Sequence, residues 1–78
     1  MPTFTDQQIA ENIARNLADL LRDRKINQSE LARRAGISRM AVSRYMRCVI
    51  VPGAGALARM AHALCTTTDE LLADQKTR

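Results

Sequence analysis

The sequence is poor in residues that many small folds lean on. Aromatic side chains make up 3% of its 78 residues, with no Trp, one Tyr and one Phe. Outside 49–51, apolar β-branched and aromatic residues are nowhere concentrated, so no stretch reads as sheet. There is one His, and the two cysteines, Cys48 and Cys65, form no C-x-x-C pair. So few ligands assemble no metal set, and no cofactor is expected. The cysteines form no secreted disulfide framework and are expected to be free thiols in a reducing compartment. No apolar run is long enough to cross a membrane, and Met1–Thr5 does not begin a signal peptide. No nucleophile is paired with a base, no motif places two carboxylates, and no glycine-rich loop cradles a phosphate. An enzyme is therefore not expected, and neither is a small-molecule ligand, which needs a larger body to enclose it.

What is present favours helices. The apolar share is 46%, mostly Ala, Leu, Ile, Val and Met, a mixture suited to short, closely packed helices. The length allows one domain, 1–78, with frayed ends at 1–5 and 74–78. A core this small calls for very regular helices or a partner subunit.

Periodicity and capping residues place the elements. Ile9, Ile13, Leu17, Leu20 and Leu21 recur three and four apart, and Thr5 with Gln8 forms a capping-box pattern, which predicts a helix over 6–24. Asn27 caps a second helix, 28–35, with Glu30 at the reciprocal position and Gly36 as the stop. Ser38 caps a third, 39–47, with Val42, Tyr45 and Met46 facing inward and Arg39, Met40, Ser43, Arg44 and Arg47 facing out. Pro52 breaks the chain before a fourth helix over 54–64, and Thr67 caps a short fifth. His62, on the fourth helix, reads as a surface or packing residue.

The charge is concentrated. The formal net charge is +4, yet the stretch from Arg22 to Arg47 holds eight basic residues against Asp23 and Glu30 alone, which makes it +6 and leaves the flanks at −2. A focused basic zone in a near-neutral chain points to a polyanion.

The stretch Gln28-Ser-Glu-Leu-Ala-Arg-Arg-Ala-Gly-Ile-Ser-Arg-Met-Ala-Val-Ser-Arg-Tyr-Met-Arg47 reads as helix, tight turn, helix. Ala32 is small where the second helix crosses. Gly36 makes the turn, and Leu31, Ile37, Val42 and Tyr45 fill the space between. These residues, with Pro52, Ala63-Leu64 and Glu70-Leu71-Leu72, resemble the lambda-repressor-like (Cro/repressor, XRE-type) helix-turn-helix family over about residues 9–73. The resemblance implies an all-α, five-helix DNA-binding domain whose third helix enters the major groove. It implies that Arg39, Met40, Ser43 and Arg44 face base edges. By the same resemblance Asn27, Gln28, Ser38 and Arg47 contact phosphates. Arg33 and Arg34 are expected only to raise the local potential.

Two departures stand out. The family often pairs an Arg on the first helix with a Glu ending the third, and here those positions are Leu21 and Met46. An ion pair replaced by two apolar residues is expected to leave them in contact. The segment Val49-Ile50-Val51 stands where polar residues are usual, and is a candidate dimer interface.

The reading is a sequence-specific regulator of transcription, a phage-type or bacterial repressor binding a two-fold operator on double-stranded DNA as a homodimer. It is expected in the cytoplasm, associated with the nucleoid and not with membrane. The alternative is a protein-interaction module on the same fold, such as an antitoxin, working through its acidic flanks and the 49–51 loop.

Overall fold

Among residues 5–74, the part of the chain that the computed structural model describes, five helices and no strand form. They are α1 (Asp6–Arg24), α2 (Gln28–Ala35), α3 (Arg39–Met46), α4 (Ala54–Ala63) and α5 (Thr68–Leu72). Residues 1–4 and 75–78, most of the expected frayed ends, lie outside the described residues.

Side-chain oxygens start most of these helices. Thr5 Oγ1 accepts from the Gln8 amide while Gln8 Oε1 accepts from the Thr5 amide, both at 3.1 Å, so the capping box is complete. Asn27, Ser38 and Thr67 accept from the amides of Glu30, Ala41 and Glu70 at 2.9, 3.0 and 3.1 Å. Each bond satisfies an amide that the first turn leaves without an intrahelical acceptor.

The stops of α1 to α4 follow one device. The amides of Ile26, Ile37, Val49 and Thr66 bond back to the carbonyls of Leu21, Ala32, Arg44 and Ala61, five residues earlier, at 2.9–3.1 Å. In each case the residue before the donor is left-handed: Lys25 (φ 57), Gly36 (φ 69), Cys48 (φ 61) and Cys65 (φ 55). This shortens two expected helices. α3 ends at Met46 and α4 at Ala63, one residue before the expected 47 and 64, because Arg47 and Leu64 already leave helical geometry to enter these turns.

Every helix contributes to one core. Ile13 and Leu17 of α1, Leu31 of α2, Val42 of α3, Met60 of α4 and Leu71 of α5 are fully enclosed, with Leu64 just after α4. α2 packs on α3 and α4, α1 on α3 and α5, and α4 on α5. Leu21 is buried in this cluster and Met46 packs at its edge, so apolar residues hold the place where the family often has an ion pair.

Two polar residues lie inside as well. Asn12 and Asn16 are buried on α1, where their amides reach the end of α5. Asn12 Nδ2 donates to the Leu72 carbonyl at 3.3 Å, and Asn16 Nδ2 to the carbonyls of Leu71 and Ala73 at 2.8 Å each. A five-residue helix has too few internal bonds to persist alone, and these donors fix it to α1. At the other end of α1, Arg24 Nε donates to the Leu64 carbonyl at 2.7 Å and closes the last turn of α4.

Candidate nucleic-acid interface

The angle between α2 and α3 is set by three residues. Gly36 ends α2 in left-handed backbone, Ile37 packs against the core and Ser38 caps α3. Leu31, Ala32 and Ala35 bury one side of α2, and Val42 and Tyr45 bury one side of α3. An eight-residue helix with that side buried must turn the other outward.

The outward side carries the sequence-predicted base-facing residues. Arg39, Met40 and Arg44 are exposed and Ser43 is half-buried. Arg47, at the end of α3, is exposed too. Neither an ion pair nor a protein hydrogen bond engages the guanidinium groups of Arg39, Arg44 and Arg47 among the described residues.

The other arginines of the basic zone are engaged. Arg22 pairs with Asp19 at 3.2 Å and Asp23 at 3.8 Å, and Arg24 holds the Leu64 carbonyl. Arg33 and Arg34 both pair with Glu30, the latter at 2.7 Å. Hydrogen bonds from Arg33 and then Arg34 hold the Glu30 carboxyl at a pKa of about 2, below its ordinary 4.5. The expected capping box at α2 is therefore only half formed. Asn27 accepts from the Glu30 amide, but the Glu30 side chain turns to the two arginines, whose charge-assisted bonds outweigh a neutral backbone amide. A sequence signal for this division lies in the acids: no Asp or Glu occurs between Glu30 and Asp69, so α3 and α4 carry no acid of their own to neutralise Arg39, Arg44 or Arg47.

The candidate phosphate contacts flank α3. Asn27 is exposed just before α2, and Gln28 is half-buried beside it with no side-chain hydrogen bond among the described residues. Ser38 Oγ accepts from Ala41, which leaves its O–H to donate. The first turns of α2 and α3 add the positive ends of two helix dipoles.

Beyond α3 the chain exposes Val49, Ile50 and Val51 at 59%, 43% and 41%. The segment is held at both ends. The Val49 amide donates to Arg44, and Pro52 is buried. Cys48 is half-buried with its thiol 3.6 Å from the Ala10 carbonyl, and both cysteines are free. His62 is exposed on α4. Among the described residues no three His, Cys, Asp or Glu side chains are grouped to hold a metal, and no helix is long and apolar enough to cross a membrane.

Residues 12–74 match the helix-turn-helix domain family. The fold is similar to the crystal structure of NHTF, a hypothetical transcription factor from Neisseria, with a TM-score of 0.87 and 26% identity over 100% of this chain and 90% of that one. No curated protein matches the chain.

Proposed function

The chain belongs to the helix-turn-helix domain family, of the lambda-repressor-like DNA-binding type, and on that footing we propose that it is a sequence-specific regulator that represses transcription by occupying operator DNA. The observation that carries this reading is the outer face of α3, where Arg39, Arg44 and Arg47 are exposed, without a protein partner among the described residues and remote in sequence from any acid.

The mechanism follows from what those groups donate. A guanidinium offers two parallel N–H bonds that match guanine O6 and N7. We assign that role to Arg39 and Arg44, with Met40 and Ser43 beside them. Asn27, Gln28, Ser38 and Arg47 then fix the register by bonding phosphates on either side of the groove. No bond is made or broken. Repression comes from excluding other proteins from the same DNA.

The proposed operator is two-fold and the proposed binder a homodimer joined through Val49, Ile50 and Val51. These apolar side chains lie just past α3, and a two-fold site calls for two reading helices on one face of the duplex, about 34 Å apart, one helical turn. The exposed loop also favours a second reading, a module that binds another protein through it, as an antitoxin does.

Selection of bound sites from random duplex DNA, followed by affinity measurements against salt, tests the proposal. The expected result is a two-fold consensus with affinity falling steeply as salt rises, since each neutralised phosphate releases counterions. Failure to enrich any sequence, with binding to a protein partner indifferent to salt, would favour the second reading.

A further inference from the structure

Met40 is the most exposed large apolar side chain among the described residues, at 62%. It is the second residue of α3, preceded by Arg39, and the side chains that adjoin it on the helix surface are Ser43 and Arg44, three and four positions on. A lone apolar residue on a surface needs no explanation by itself. This one stands on the face of α3 that carries Arg39 and Arg44, neither of which has a protein partner among the described residues.

Resting on the reading that α3 lies in the major groove, its partner follows from chemistry. Base edges there present acceptors, amino donors and one apolar group, the C5 methyl of thymine. Arginines only donate, so they suit the acceptors, and a serine hydroxyl suits either polar kind. Met40 has no donor, and its thioether is a weak acceptor. Set over an amino group or a carbonyl oxygen, it displaces water without replacing the lost hydrogen bond. Set over a methyl group, it buries apolar surface on both sides, and its flexible, polarizable chain adapts to the contact.

We propose that Met40 reads a C5-methyl group on a pyrimidine, so that the protein distinguishes thymine from uracil, and 5-methylcytosine from cytosine, at one position of each half-site. Thymine and 5-methylcytosine carry the same methyl in the same place on the groove floor, and either source satisfies the contact.

The test uses the full chain and a duplex chosen by selection. Each thymine is replaced in turn by deoxyuridine, which lacks only the methyl, and at each position that responds the pair is changed to cytosine and to 5-methylcytosine opposite guanine. Wild type, Met40→Ala and Met40→Leu are compared, with thermal unfolding as a check that the surface variants fold. At one position per half-site, loss of the methyl is expected to weaken wild type about fourfold, the worth of burying one such group. Met40→Leu keeps that sensitivity. Met40→Ala loses it at that position alone and keeps the salt dependence of wild type.

Wild type indifferent to the methyl at every pyrimidine, or Met40→Ala as sensitive as wild type, overturns the inference and leaves the groove reading standing. Sensitivity in the thymine arm alone supports thymine and overturns the 5-methylcytosine half. No duplex retained even at low salt overturns the groove reading, and this inference with it.

Discussion

The side-chain nitrogen of Asn16 lies 2.8 Å from the carbonyl oxygen of Leu71, 55 residues further along the chain. The same nitrogen meets the Ala73 carbonyl at 2.8 Å, so one buried amide on α1 closes the end of α5. Asn16→Ala leaves the Leu71 oxygen inside the protein without this donor. The expected loss is about 2–3 kcal/mol of unfolding free energy, read from urea denaturation. Asn12→Ala, which removes one longer bond of 3.3 Å, should cost less. Equal, small losses for both would show that α5 is held by its apolar contacts alone.

Cys65 occupies left-handed backbone (φ 55) with its side chain exposed. A residue with a Cβ carries a penalty of about 1–2 kcal/mol there, and glycine carries none. Against this, glycine loosens the unfolded chain by about 0.4–1 kcal/mol. Cys65→Gly should therefore unfold at a higher temperature than wild type, with a gain of about 0.5–1 kcal/mol, while Cys65→Val should unfold lower. A glycine variant that melts below wild type would place an unrecognised role on the thiol.

Glu30 is held at a pKa of about 2, against an ordinary 4.5, by hydrogen bonds from Arg33 and Arg34. The folded state thus takes up the proton less readily than the unfolded chain. Its stabilisation is present above about pH 4.5 and is lost as pH falls through about 2. The pair lies at the surface and its arginines are exposed, so the effect is modest and salt-sensitive. Glu30→Gln should melt below wild type near neutral pH, and the gap should close across that acid window. A gap that stays constant with pH would mean that the pairing adds nothing to the fold.

Arg39 and Gln28 should behave differently on DNA. Arg39→Ala is expected to relax preference at one base pair of the selected site, at a cost of about 1–3 kcal/mol. Gln28→Ala is expected to weaken all sequences alike, since a phosphate contact carries no base information. An unchanged binding-site profile for Arg39→Ala would refute its role as a reader.

Ile50 lies at the middle of the exposed apolar segment. Ile50→Asp should shift the protein from dimer to monomer in light scattering and weaken binding to a two-fold site far more than to a single half-site. A wild-type chain that is monomeric both free and on DNA would remove the dimer from the proposed mechanism.

Much of the fold is legible from the residues, and the exceptions have physical causes. α1 and α2 begin where Thr5 and Asn27 signal and α2 ends where Gly36 does, because each of those residues has the chemistry of a cap. α1 ends at the expected Arg24 although its left-handed stop, Lys25, carries no such signal. α3 and α4 end one residue earlier than periodicity indicates, because their left-handed stops are the cysteines Cys48 and Cys65, and neither advertises such a turn. Asn12 and Asn16 are invisible to a count of apolar residues, since their burial depends on carbonyls of α5 that only the packing brings close. At the candidate interface, spacing alone turns Arg39, Met40 and Arg44 outward. It does not tell which arginines are free. That division comes from Glu30 drawing in Arg33 and Arg34, and reach of that kind is a property of side-chain geometry.

The joint between α2 and α3 leaves no slack. Gly36 completes one helix, Ser38 opens the next, and Ile37 between them is pinned to the core. On the proposed function, α3 thus meets DNA already in shape, with its backbone settled beforehand. Docking then freezes only a handful of side-chain torsions, and a preorganised surface of that kind keeps more of its contact energy as affinity.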